Sequence, residues 1–220
     1  MIIVKTPQVV QNAVENFVGR HFRNTSQRNH VANQRYVYGH DLLFIDYVHP
    51  TSGKHYPIDF RRYKKAEQCE LTKEDFTKLL RLAMELIQQC HDQNISGTFT
   101  FDSVYSTVEM LNFIDSLKNA DGTNRRYVGD VKFNRTINFK GRKITVEEFA
   151  KTIPAEDRTK MTTENGIQWY LAVNVTIPNV MHKVRIVILW KHKNDAEPRQ
   201  ILVSNNDWRK LPRYAERIVA

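Results

Sequence analysis

Hydrophobic positions in the first part of the chain change from the period of a strand to that of a helix. Residues 36–48 (YVYGHDLLFIDYV) are rich in β-branched and aromatic types and predict a strand, which the turn signals His-Pro and Thr-Ser-Gly follow. Residues 55–63 alternate apolar and polar side chains and predict the return strand of a hairpin. From Thr72, the expected N-cap, to about Asn94, apolar residues recur at helical spacing. The pattern therefore predicts a hairpin followed by a long helix.

The rest of the chain contains short strands, short helices and a β-rich block. The elements predicted first are strands at 98–101 and 126–133 and a helix at 108–117. The block that follows contains strand-like runs at 167–177, 183–190 and 200–204 and a short helix at 146–151. A helical pattern begins again at Asp207. This order predicts an α/β fold in which a mixed sheet is flanked by helices.

The composition is that of an ordinary soluble protein, with 41% hydrophobic and 26% charged residues. A run of eighteen uncharged apolar residues is absent from the sequence, so no membrane span is expected. The first residues are interrupted by Pro7 and make a poor secretory signal. Cys69 and Cys90 form no CxxC motif, which indicates reduced thiols. We therefore expect a cytoplasmic protein.

Positive charge is the strongest feature of the composition. The formal net charge is +9 and the isoelectric point is near 9.5, so the chain is attracted to polyanions such as nucleic acid. Residues 118–143 hold eight Lys/Arg against two Asp, and residues 183–193 hold four Lys/Arg without an acid. Such groups give strong, sequence-tolerant contacts to phosphates. The alternative is a basic face that only contacts solvent.

Asp102 is the most informative single residue, because it directly follows the apolar strand 98–101. A carboxylate at the end of a strand suits a hard cation such as Mg²⁺, but an Asp there can also cap the helix that follows. The sequence contains no GxGxxG and no GxxxxGK[ST] motif, so ATP-driven chemistry has no support. The histidines of the first quarter match no common zinc spacing.

The segment FDSVYSTVEMLNFIDSLKNADGTNRRYVGDVKFNR resembles the middle of insertion-sequence transposases of the DDE superfamily. In that family the second catalytic Asp opens an Asp-Ser-x-Tyr-type segment, and a helix and a strand bearing Lys-x-Asn-Arg follow. The matching residues here are Asp102, Ser103, Tyr105, Lys132, Asn134 and Arg135. The stretches Tyr38-Gly39-His40 and YPIDFRRYKK (56–65) also resemble the hairpin that precedes this Asp. The resemblance covers roughly residues 30–217, and its motifs are specific by their order and spacing.

The resemblance implies an RNase H-like fold and metal-dependent phosphoryl transfer on DNA. It implies a catalytic core at residues 1–135 and 205–220 with a β-rich insertion at 136–204. Asp102 would be a catalytic residue and a Mg²⁺ ligand, and the DNA-binding residues would be Lys132, Arg135, Tyr214 and Arg217. The implied partner is double-stranded DNA at transposon ends, in a nucleoid-associated protein, and a homodimer is one arrangement open to the intact enzyme.

Two departures from the family pattern bear on activity. Residues 1–35 contain no Asp to serve as the first catalytic carboxylate. Tyr214 and Arg217 match the family's Tyr-x2-Arg-x3-Glu motif, but its Glu would fall after Ala220. We therefore expect a fragment that binds Mg²⁺ weakly and does not cleave DNA.

Two other functions remain open at this point. One is a DNA-binding protein without catalysis. The other is an unrelated RNase H-like nuclease that combines Asp102 with acids such as Asp46 and Asp59. Trp169, Trp190 and Trp208 could stack on bases, although at least two of them are expected to pack within the insertion sheet.

Overall fold

The computed structural model describes residues 2–5, 26–30, 35–39, 41–49, 51–163 and 166–206, with the backbone alone described in the first three stretches and at residue 163. The chain divides into two compact units, residues 1–97 and 98–220. Each unit has its own sheet pairings and its own helices, and the two are described separately below.

The first unit contains an antiparallel sheet with a helix packed on it, and a separate two-stranded sheet. Its strands are β1 (Ile2–Lys5), β2 (Ser26–His30), β3 (Arg35–Gly39), β4 (Asp41–Val48) and β5 (His55–Tyr63), and its helices are α1 (Ala66–Thr72) and α2 (Leu79–Asp92). β4 pairs with β1 and β5, and β2 pairs with β3, all antiparallel. The apolar stripe of α2 packs against β4 and β5, and Leu86 and Ile87 are fully buried. Arg61 on β5 donates to Gln89 Oε1 on α2 at 2.6 Å, which adds a polar link.

The predicted hairpin of this unit is confirmed, with the return strand at residues 55–63. The predicted strand 36–48 is divided into β3 and β4. The expected N-cap role of Thr72 is wrong, because Thr72 ends α1 and its hydroxyl donates back to the Gln68 carbonyl at 3.0 Å. Lys73 then adopts a left-handed conformation that stops the helix, and α2 begins only at Leu79.

The second unit is a mixed sheet flanked by helices. Its strands are β6 (Thr98–Phe101), β7 (Arg126–Asp130), β8 (Thr136–Phe139), β9 (Arg142–Thr145), β10 (Thr159–Thr163), β11 (Gly166–Val175), β12 (Val184–Trp190) and β13 (Gln200–Ser204). Its helices are α3 (Val108–Ser116), α4 (Val146–Lys151) and a 3₁₀ turn at Ala155–Asp157. Six strands form one sheet in the order β10-β11-β12-β13-β7-β6. β6 and β7 are parallel, and the other neighbours are antiparallel.

Both faces of this sheet carry buried apolar side chains. On one face Val128, Met161, Val187, Leu189 and Leu202 form a cluster that crosses four strands. The opposite face carries Tyr127, Ile186, Ile188 and Trp190, which are fully buried, and α3 packs against β7. Near-continuous apolar strands such as VRIVILW are what burial of both faces requires.

The structure confirms the α/β class and most of the predicted elements of this unit. The strand 98–101, the strand 200–204 and the helix 146–151 match the prediction. The pattern missed β8, β9 and β10, and the predicted strand 126–133 ends at Asp130. The helical pattern from Asp207 onwards lies outside the described residues.

The β-rich block 136–204 does not pair only with itself. β13 pairs with β7, at Leu202–Asp130 and Ser204–Val128, so the block extends the sheet that contains the strand after Asp102. The domain boundaries 1–135, 136–204 and 205–220 stay a prediction. None of the described helices is long and apolar enough to cross a lipid bilayer.

Candidate functional site

Asp102 lies at the carboxyl end of β6, exposed at the sheet edge. Its Oδ1 accepts a hydrogen bond from the Val104 backbone N–H at 2.7 Å, which fixes the turn after the strand. It does not cap α3, because Thr107 is the N-cap and its Oγ1 accepts from the Met110 N–H at 3.2 Å. The carboxylate of Asp102 is therefore a turn-stabilising group that also faces solvent.

Asp130 is a second carboxylate at the same edge, and the sequence pattern did not single it out. β6 and β7 are parallel and Phe101 pairs with Gly129, so Asp102 and Asp130 are the next residues on adjacent strands. Burial raises the pKa of Asp130, and the neighbouring Asp102 carboxylate raises it further. A hydrogen bond from Gln200 Nε2 to Asp130 Oδ1, at 3.2 Å, acts in the opposite direction. The two acids interact electrostatically.

Gly129 and Ser106 stabilise the ends of β6 and β7. A Cβ at Gly129 would overlap the Phe101 ring and Ser106 Oγ, so only glycine permits the close approach. The buried Ser106 hydroxyl donates to the Asp130 carbonyl and lies 3.5 Å from the Asp102 carbonyl. The backbone of both acids is thereby tied to one side chain.

A basic turn, residues 132–135 (KFNR), begins two residues after the end of β7. The Arg135 N–H donates to the Lys132 carbonyl at 3.0 Å and closes the turn. The half-buried Arg135 guanidinium donates to the Ser106 carbonyl, and burial lowers its pKa without removing its charge at neutral pH. Lys132 and Asn134 are exposed. The basic turn is therefore joined to the segment that follows Asp102.

The basic turn forms one wall of a cleft of about 300 Å³. Lys132, Asn134, Arg135 and Thr136 line this cleft together with Ile177 and Pro178. A cleft with two cationic side chains, an amide and an apolar wall can hold a phosphate group and the sugar attached to it.

The loop that follows Ile177 and Pro178 is held by α3. Asn112 on α3 donates to the Asn179 carbonyl at 3.0 Å and accepts from the Met181 N–H at 2.9 Å. His182 lies 2.8 Å from the Tyr127 hydroxyl and 3.3 Å from Asp115 Oδ2. Burial lowers the pKa of His182, and the Asp115 carboxylate opposes this. These contacts hold the loop that carries Ile177 and Pro178.

The N-terminus of helix α4 is hydrogen-bonded to the basic turn. Its first N–H groups, from Val146 and Glu147, donate to the carbonyls of Arg135 at 2.9 Å and Phe133 at 3.0 Å. Thr145 and Glu148 form a capping box at the same helix end. Both Glu147 and Glu148 lie in the first turn of α4, where acids are favourable.

The hairpin acids considered as alternative ligands have local basic neighbours. Arg61 donates to Asp59 at 2.6 Å and lowers its pKa, and His55 lies 3.9 Å from Asp46. Within the described residues, no group of three or more His, Cys, Asp or Glu side chains could hold a metal ion.

Some of the remaining residues considered in the sequence analysis lie in the part of the chain that the structure describes, and others lie outside it. Trp190 is fully buried with the Arg158 guanidinium 4.1 Å from its ring, and Lys193 lies 5.3 Å from the Trp169 ring. Core packing was expected for at least two of the three tryptophans, and Trp190 is one that packs in the core. Tyr214, Arg217, Trp208 and His40 lie outside the described residues.

No protein-family model matches the chain, and no curated protein matches it significantly. Within the second unit, Lys132 and Arg135 line one cleft, and Asp102 is connected to it through the Ser106 carbonyl, four residues further along the chain, which accepts from Arg135. The two interacting carboxylates offer oxygen ligands of the kind a hard cation prefers, and the cationic cleft offers donors of the kind that bind a phosphodiester.

Proposed function

We propose that this chain is a DNA-handling protein of the DDE transposase class, with an RNase H-like fold. In this proposal the basic turn binds the phosphodiester backbone, and Asp102 is a ligand of a divalent cation. The observation that carries the proposal is the position of Asp102 and Asp130 at the carboxyl ends of adjacent parallel strands, with the turn that carries Lys132 and Arg135 beginning two residues after Asp130. Parallel strands present their carboxyl ends at one edge, where ligands commonly bind.

The resemblance and the geometry support the same residues. The sequence matched Asp102 to a catalytic Asp and residues 132–135 to the family's Lys-x-Asn-Arg. In the structure Arg135 contacts the Ser106 carbonyl, four residues after Asp102. Mixed parallel and antiparallel pairing agrees with an RNase H-like sheet, and residues 136–204 remain candidates for the family's insertion.

The donor chemistry of the edge fits Mg²⁺. Carboxylate oxygens are the ligands that this ion prefers, and Asp102 and Asp130 supply them from adjacent strands. Burial is the main cause that raises the pKa of Asp130, and a cation held by these acids would offset the smaller contribution from repulsion by Asp102. Mg²⁺ at such a site activates a nucleophile and neutralises charge on the phosphoryl group.

The protein residues would position the DNA. Lys132 is exposed and can pair with a phosphate as a mobile charge. Arg135 is half-buried and held by Ser106, so it offers donors in a fixed orientation. Asn134 adds a neutral donor and acceptor to the cleft. Such contacts fix the register of the backbone and do not read the base sequence.

Binding of a DNA duplex across a salt series tests the DNA-binding part. Lys132→Ala should weaken binding to all sequences alike and reduce the slope of log K against log salt by about 1. The matched control is Lys151→Ala, because Lys151 is an exposed lysine paired with Glu147 outside the cleft. Equal effects of the two substitutions, or no binding by the wild type, would contradict the proposal.

Mg²⁺ titration tests the cation. We expect Mg²⁺ to raise the thermal stability of the wild type, and Asp102→Asn to remove most of this gain, because binding to the native state alone stabilises it. Asp59→Asn is the control, since Asp59 is paired with Arg61. This response separates the alternatives, since a DNA-binding protein without catalysis would show the salt slope but no Asp102-dependent gain in stability with Mg²⁺.

A further inference from the structure

We infer that Phe133 is a stacking platform for an unstacked base of the bound DNA. This inference rests on the proposed function and deepens it, because it selects DNA with an unpaired base over a fully paired duplex. It concerns a side chain that neither the resemblance nor the cation chemistry uses.

Phe133 is exposed in an unusual setting. Its exposed fraction is 41%, and its sequence neighbours Lys132 and Asn134 are exposed as well. A single exposed aromatic is common on protein surfaces and indicates nothing by itself. Here, however, it is the second residue of a four-residue basic turn whose other three members all line the cleft.

The backbone at Phe133 is held on several sides. Its carbonyl accepts from the Glu147 N–H at 3.0 Å, and the Lys132 and Arg135 carbonyls accept from Arg135 and Val146. The aromatic side chain therefore extends from a turn that is already ordered before any ligand binds. A fixed platform loses little conformational entropy on binding, which is the advantage of preorganisation.

Positive charge continues along the chain from Phe133. Lys140, Arg142 and Lys143 are exposed on the β8–β9 hairpin, which follows the basic turn. Lys140 and Gly141 form the tip of this hairpin, and both have positive φ angles. A basic surface that tracks the backbone, combined with an aromatic ring that stacks on a base, is how proteins bind single-stranded nucleic acid.

The chemistry of stacking defines the substrate class. In an intact duplex each base face is covered by its neighbours, so an aromatic ring gains a base contact only where a base has left the stack. The ligand is therefore DNA that is single-stranded, or a duplex with an unpaired base beside the phosphates in the cleft.

The test compares Phe133→Ala with the wild type on three ligands: a single strand of about 12 nucleotides, a paired duplex, and the same duplex with one bulged base. We expect roughly 5- to 100-fold weaker binding of the single strand and the bulged duplex. Binding of the paired duplex should change less than about twofold, and the salt slope should remain, because no cation is removed.

Three controls make the outcome specific. Phe133→Trp should restore binding, and a 2-aminopurine at the bulge should be quenched by the wild type and by this variant but not by Phe133→Ala. Tyr56→Ala removes another exposed aromatic, 49% exposed on β5, and should have no effect. Circular dichroism and thermal unfolding verify that each variant is folded.

The outcomes separate the two proposals. If the wild type binds none of the three DNA ligands, the proposed function fails. If DNA binds with the Lys132-dependent salt slope but Phe133→Ala binds the single strand and the bulged duplex as the wild type does, only the stacking role is overturned. An equal loss on all three ligands would also overturn it, because it would indicate a general role in folding or docking.

Discussion

At the residue scale, burial and, to a smaller extent, a carboxylate on the adjacent strand change the chemistry of Asp130. Burial and the Asp102 carboxylate raise the pKa of Asp130 in the folded protein. The folded state thus holds this proton more tightly than the unfolded state, and the carboxyl contributes a stability that is lost as the pH rises through its raised pKa. The ionised form is the costly one, although its partial exposure keeps the cost small.

Asp130→Asn should therefore be more stable than the wild type at neutral pH and equal to it in acid. Asn can still accept the hydrogen bond from Gln200, so the main change is loss of the charge. We expect a gain below about 1 kcal/mol that develops as the pH rises above about 4. Urea unfolding across this pH range measures the gain.

Asp102→Asn is the matched control, because it removes the repelling charge and keeps the amide as an acceptor for Val104. In this background the gain from Asp130→Asn should become smaller, and the double-mutant cycle gives the coupling between the acids. A gain that does not depend on pH would show that Asp130 does not titrate as described.

At the element scale, the short helix α4 orders a turn that lies outside it. Its N-terminal N–H groups bond to the carbonyls of Phe133 and Arg135, and the Thr145–Glu148 capping box fixes the same end. Thr145→Ala should cost about 1 kcal/mol of stability, as is usual for loss of a capping side chain. Hydrogen exchange at the amides of Val146 and Glu147 should become faster, because these amides are bonded to the basic turn.

Lys151→Ala at the other end of α4 is the control. It removes an exposed pair with Glu147, which should cost at most about 0.5 kcal/mol and leave the basic turn unchanged. Faster exchange in both variants alike would contradict a specific link between the cap and the turn.

The elements predicted correctly are those with a strong local signal. Alternation and flanking turns define β5, and the Thr145–Glu148 spacing before an apolar residue marks α4. β8 and β9 are short and largely polar, so periodicity could not indicate them. The Lys140-Gly141 pair, which forms a tight turn with both φ angles positive, was the available signal. Thr72 was misassigned because the preceding helix α1 was not recognised.

The site was only partly predictable for a related reason. Asp102 and the basic turn could be proposed because each follows a strand in the sequence. Asp130 could be recognised as a site residue only from the parallel pairing of β6 and β7, which places it beside Asp102, 28 positions earlier in the sequence. The Ile177–Pro178 wall depends likewise on contacts between α3 and a distant loop. Neither pairing is determined by a local pattern.

At the scale of the whole molecule, the net charge of +9 has two opposite consequences. In the free protein the excess of positive charge repels itself and destabilises the compact state. A DNA ligand neutralises part of this charge, and binding to the native state adds stability. Added salt weakens both effects, because it screens the repulsion and also competes with the protein for phosphates.

The two consequences predict salt dependences of opposite sign. Between about 50 and 300 mM salt, the melting temperature of the free protein should rise by a few degrees as the repulsion is screened. With excess single-stranded DNA, the melting temperature should be highest at low salt and should fall as salt is added. At a DNA concentration of 100 times Kd, binding adds about 2.7 kcal/mol to the free energy of unfolding. A neutral polymer such as dextran controls for crowding and should not reverse the slope. If the melting temperature rises equally with salt with and without DNA, DNA does not bind the folded chain. If DNA reverses the sign of the salt dependence and Lys132→Ala weakens this reversal, the basic turn contributes to the effect of the net charge.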